Sequence, residues 1–146
     1  MSREVITAAL WDRLAAIPGL RTTGRKPRDR DQVSASDCPA LFLGVGSSAV
    51  VAEVGQYPLW RLEFVAYLHI YDGSVAGPSE QLNSYLDAIE AALARGPGDE
   101  PGMGTDTATT LGGEVHSARV SSVETDEGSF GDRAVALVTI EVMAAG

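Results

Sequence analysis

The segment from Trp60 to Tyr71 constrains this chain more than any other. Trp60, Leu62, Phe64, Ala66, Leu68 and Ile70 alternate with Arg61, Glu63, Val65, Tyr67, His69 and Tyr71. Side chains on a β-strand point to opposite faces with period two, so this pattern predicts a strand with one apolar face and one mixed face. About twelve residues at roughly 3.3 Å each make a ribbon about 40 Å long, roughly twice the usual strand. A strand of that length must either reach beyond a small domain or curl strongly.

Two helical stripes flank it. Ser2 is placed to cap a helix whose apolar positions Val5, Ile6, Ala9, Leu10, Leu14 and Ile17 recur three and four apart, and Pro18-Gly19 ends it. A second helix opens at Gly77-Pro78-Ser79, with Leu82, Leu86, Ile89 and Leu93 as its stripe, and Gly96-Pro97-Gly98 closes it. Ala40 to Val45 reads as a short buried strand, followed by a small-residue loop from Gly46 and a further strand over Val50 to Val54. Residues 96–113, rich in Gly, Thr, Asp and Pro, read as a long flexible loop. Glu114 to Val123 and Arg133 to Met143 read as two final strands, joined as a hairpin through the acidic, glycine-bearing linker Glu124 to Asp132. Strands in runs, without one helix per strand, predict an α+β fold: a mostly antiparallel sheet of four to five strands, two helices on one face and an extended hairpin.

The 146 residues fit a single domain, 1–146, with 45% hydrophobic and 21% charged residues giving enough apolar material for a core. A formal net charge of −9 repels polyphosphate and argues against nucleic-acid binding by the chain as a whole. Cys38 stands alone, which excludes an internal disulfide and a cysteine-based zinc site. No run approaches the ~18 apolar residues of a membrane span, and Met1-Ser-Arg-Glu4 leads directly into an amphipathic pattern with no signal peptide, so a soluble protein made in the cytoplasm is expected.

Candidate chemistry is sparse. His69 and His116 lack partners at metal or general-base spacing. Glu124, Asp126, Glu127 and Asp132 depart from the alternating pattern of a calcium loop and read as an acidic surface. Gly44-Val-Gly46 lacks the third glycine and the following helix of a phosphate loop, and Ser47 and Ser48 have no paired base. No enzyme, cofactor or metal is therefore expected. Arg21, Arg25, Lys26, Arg28 and Arg30 gather five of the eleven basic residues into one stretch without stacking aromatics. Such a stretch is either simply solvated or docks on an acidic neighbour, and on so acidic a chain that neighbour could be another copy.

Several segments together resemble the tail terminator proteins of long-tailed phages. They are Trp11 to Leu20, Pro39 to Leu43, Tyr67 to Tyr71, Leu82 to Leu93, Leu111 to Val115, Glu124 to Gly128 and Gly131 to Ala136. The resemblance keeps the order of elements over nearly the whole chain; residues 96–113 are its weakest part. It implies a structural virion protein without catalytic residues or cofactor, forming a homo-hexameric ring at the head-proximal end of the tail. Its implied partners are the major tail tube protein, whose polymerisation it stops, and a head-side connector or stopper protein, with genomic DNA passing through unbound and no membrane involved. Arg21, Arg25, Lys26, Arg28 and Arg30 on one copy, and Glu124, Asp126, Glu127 and Asp132 on the next, are the expected interface. A related neck component, or a small-molecule-binding domain or enzyme, remains as the alternative.

Overall fold

The long alternating segment is the middle of a five-stranded sheet. The computed structural model describes residues 1–55, 57–96, 99, 108–126 and 131–146. Its elements are α1 (Arg3–Ala15), β1 (Thr22–Gly24), two single 3-10 turns (Arg30–Gln32 and Ala35–Asp37), β2 (Ala40–Val54), β3 (Tyr57–Tyr71), α2 (Ser79–Ala92), β4 (Ser117–Thr125) and β5 (Arg133–Ala145). The sheet order is β1-β2-β3-β5-β4. Only the short β1–β2 pair is parallel; β2–β3, β3–β5 and β5–β4 are antiparallel. The fold is α+β, as the element pattern requires.

β3 pairs along both edges. It meets β2 from Ala40↔His69 to Val54↔Tyr57 and β5 from Tyr71↔Arg133 to Leu59↔Ala145. Leu62, Phe64, Ala66, Leu68 and Ile70 are all buried, together with Leu41, Leu43, Ala136, Val138, Ile140 and Val142 from the flanking strands. Both helices press their stripes onto this face: Ile6, Leu10 and Leu14 from α1, and Leu82 and Ile89 from α2 with Leu93 just beyond its end. Pro58 lies past the last β5 partner, where a missing N–H breaks no bond to β5, and its carbonyl accepts from the Gly146 N–H at 3.0 Å.

Four boundaries differ from the sequence pattern. α1 stops at Ala15, two residues early, and Val5 is exposed, so the stripe rests on Ile6, Leu10 and Leu14. Ser2 does cap it, its hydroxyl oxygen accepting from the Val5 N–H at 3.3 Å. The expected loop at Gly46 to Ser48 belongs to one continuous strand, β2. Val45 faces Phe64 while Ser48 faces Leu62, so one extra residue is inserted there; Val50 faces Trp60 and Ala52 faces Leu59, a second insertion. These are bulges, which bend the strand locally and mimic a loop in sequence. A Cβ on Gly46 would come 2.8 Å from the Glu63 carbonyl oxygen, so the bulge requires glycine. The third difference is the start of β4, at Ser117 instead of Glu114. Leu111, Gly112 and Gly113 have φ of 54°, 74° and 93°, and this left-handed run makes a turn that drops Val115 into the core.

The fourth difference concerns the loop expected over 96–113. Residues 97–98 and 100–107 lie outside the described part, but the remainder is tightly held. Ala108, Thr109, Thr110 and Leu111 are buried. The Thr109 N–H donates to the Leu93 carbonyl at 2.8 Å, and the Ala118 N–H donates to the Thr109 carbonyl at 2.9 Å. Bridges Ala94↔Ala108 and Thr109↔Ala118 tie the end of α2 to the start of β4.

Replacing Phe64 by Ala removes a large side chain, 2% exposed, from the centre of this core. It should lower the unfolding free energy by about 3–5 kcal/mol, measured as a drop in the urea midpoint at unchanged slope.

Candidate assembly interface

The second face of the sheet carries the basic stretch. Ala40, Phe42 and the half-buried Tyr67 form a small apolar patch, covered by Val33 and Cys38 from the strap between β1 and β2. Much of that strap is held by contacts within the chain. Arg28 places its guanidinium 5.1 Å from the Phe42 ring centroid. Arg25 donates to both carboxylate oxygens of Glu4 at 2.7 and 3.0 Å, which lowers the Glu4 pKa and raises that of Arg25. Both groups are solvent-exposed, so this pair orients the strap more than it stabilises the fold. Arg30 forms an ion pair with Asp126. The Arg133 guanidinium donates to the carbonyls of Arg30 and Val33 at 3.3 and 2.8 Å.

The structure therefore joins part of the expected basic set to part of the expected acidic set inside one copy. Asp126 meets Arg30 and also accepts from the Val135 N–H at 2.7 Å, closing the end of the β4–β5 ladder. Arg21 is exposed just before β1 and Lys26 on the strap, Glu124 is exposed on β4 opposite Leu137, and Asp132 is exposed just before β5. Glu127 lies outside the described residues.

His69 sits beneath the strap, 4% exposed, edge-on to Phe42 with ring centroids 5.7 Å apart. Its Nε2 is buried without a hydrogen-bond partner. A cavity of about 10 Å³ lies among Arg30, Val33, Cys38, His69, Arg133 and Val135. Burial lowers the His69 pKa, and the nearby Arg30 and Arg133 lower it further, outweighing a hydrogen bond to the Arg28 backbone. The ring is thus held neutral as a packing group. The alternation of β3 assigned it to the mixed face, but only the strap, whose sequence has no period, buries it there.

Asp99 was not singled out by any motif. Its side chain is fully buried and collects hydrogen bonds from the Gly96 N–H at 2.7 Å, the Thr109 hydroxyl at 2.8 Å, the Thr110 N–H at 2.8 Å and the Thr110 hydroxyl at 2.9 Å. Arg13 on α1 lies 3.5 Å away. Burial alone would raise the pKa, but these donors outweigh it and hold the carboxyl well below the usual carboxylate range. Asp99 thereby anchors the segment after α2. The nearest sequence signal was Thr109-Thr110, whose hydroxyls and N–H groups supply three of the four short bonds.

At the far end of the β2–β3 hairpin, Tyr57, Pro58, Leu59, His116, Met143 and Ala145 line an open, apolar groove of about 510 Å³. It suits an apolar contact and offers no paired acid and base. Among the described residues, no three His, Cys, Asp or Glu side chains gather as a metal site, and no helix is long and apolar enough to cross a membrane.

Two pH windows follow. The folded pKa of His69 lies below its unfolded value of about 6.5, so its contribution is complete above pH ~6.5 and falls as pH drops below it. His69→Gln should flatten the pH dependence of the urea midpoint below about pH 6.5. The Asp99 contribution is complete above its unfolded pKa of about 3.9 and is lost as pH falls toward the depressed folded value. Asp99→Asn should be less stable than the parent at pH 7 and show a shallower decline below about pH 4; an unchanged acid limb would refute this role.

No protein-family model and no curated protein matches the chain. Among solved structures, one chain from the virion of a native gene transfer agent particle is similar, with a TM-score of 0.55 and 15% identity over 99% of this chain and 100% of that one. A second solved chain has a TM-score of 0.50 and 17% identity over 97% and 96% of the two chains. At such identities the likeness is one of fold, and it extends from end to end of both molecules.

Proposed function

We propose that this chain is a structural virion protein that assembles into a ring, hexameric as in tail terminators, at the head-proximal end of a tail tube. There it ends tube growth and presents a surface to the head-side connector or stopper. The observation that carries this reading is the end-to-end likeness of fold to a chain within a virion. The ordered sequence resemblance to tail terminators supports the finer role.

The chemistry of the surface agrees with assembly. The fold presents an apolar groove at the hairpin end and exposed Val45, Val50 and Val51 on β2, features that serve contact with other proteins. A net charge of −9 suits a ring through which DNA passes without adhering. On this reading the protein has no catalytic step and takes no cofactor.

Removing the gene during particle assembly tests the proposal. Tail tubes of abnormal and variable length are expected by electron microscopy. Tubes of normal length that fail to join heads would instead assign the chain to another neck component, a tail completion or stopper protein.

A further inference from the structure

Among the described residues, β2 beyond its short β1 partner and β4 on its outer side leave much of an edge unpaired. β1 covers β2 only from Ala40 to Phe42, and among the described residues no strand pairs with β2 on that side beyond Phe42. On the opposite side, the bridge Thr109↔Ala118 touches the start of β4, and no described strand pairs with its outer edge from Val120 to Thr125. An open edge is a row of unpaired N–H and C=O groups, which proteins usually blunt with lysine, proline or covering loops. Here Gly44 to Ala52 contains no charged residue and no proline, and Val120 to Val123 likewise contains neither. Val45 is 74% exposed, and Val50, Val51 and Val123 are also exposed.

We infer that the outer edge of β2 in one copy pairs antiparallel with the outer edge of β4 in the next, continuing the sheet from subunit to subunit. The inference rests on the ring reading and names its contact. Strand direction supports it. β2 and β5 run one way, β3 and β4 the other. Copies related by rotation keep the same polarity, so a neighbour's β4 beside β2 extends the antiparallel alternation unbroken. Such a head-to-tail contact satisfies both open edges of every copy. A two-fold β2–β2 pairing would leave β4 open.

Electrostatics favours the same contact. Each copy carries a net charge of −9, so copies repel, and the uncharged strips at Gly44 to Ala52 and Val120 to Val123 let them approach at the least cost. Curvature agrees as well. The inserted residues fall on the two strands with open edges, at Val45/Ser48 and Val50/Ala52 on β2 and at Val120/Ser122 on β4, while the β3–β5 ladder is regular. Bulges add twist and bend where a sheet must turn toward its neighbour.

Amide hydrogen exchange on the purified protein across a concentration series, read beside light scattering, tests the contact. Slowed exchange at both Gly44 to Ala52 and Val120 to Thr125 is expected when rings form. Rings whose two edges exchange as fast as in the monomer would overturn the edge pairing and leave the ring reading standing. Closed dimers protected only on β2, or a chain monomeric at every concentration, would overturn both. A Val50→Lys, Val123→Lys variant changes only exposed positions; it should keep its melting temperature and associate at least tenfold more weakly. Undiminished association of that variant would also overturn the edge pairing.

Discussion

Backbone pairing along both edges of β3 is the interaction on which the rest of the structure depends. Its alternation commits Leu62, Phe64, Ala66, Leu68 and Ile70 to one face over a continuous run. A one-residue slip against either neighbour would turn that whole set to the opposite face, so register with β2 and β5 is strongly specified. Once the face exists, α1 and α2 have one surface on which to bury their stripes, and both use it. The strap from β1 to β2 is then left for the other face, where Val33 and Cys38 close over Phe42.

Polar groups fix what the apolar core leaves loose. In the segment after α2, one carboxylate, Asp99, satisfies two N–H groups and two hydroxyls away from water. The strap is held similarly, by Arg133 donating to two of its carbonyls and by the Arg30–Asp126 pair at the end of the β4–β5 ladder. These connections bind together parts of the chain about a hundred residues apart. They also spend several charges that the sequence places in separate basic and acidic patches. Alongside the charges that stay exposed, such as Arg21, Lys26 and Glu124, the fold leaves Val45, Val50, Val51 and Val123 at the surface.

Bulges explain why the hairpin was only partly legible. Gly46-Ser47-Ser48 interrupts the apolar pattern of β2 as a loop would, because an inserted residue shifts the two-residue period. The pattern carries no mark of which strand lies alongside, and it is the partner Glu63 backbone that demands glycine at position 46. Gly112-Gly113 could be recognised as a turn, but its effect of carrying Val115 into the core required the neighbouring strand to be in place.

The sequence by itself determined the class of fold, the central strand with its buried face, both helices and the final pair of strands, because these follow from local periodicity and from residues that start and stop elements. It also bounded the chemistry, through one cysteine, two isolated histidines and a strongly acidic balance. Only the tertiary structure decided the sheet order, the pairing of Arg25 with Glu4 and Arg30 with Asp126, and the burial of His69 and Asp99. Each of these depends on residues distant in the chain meeting in space, and no local period encodes such a meeting.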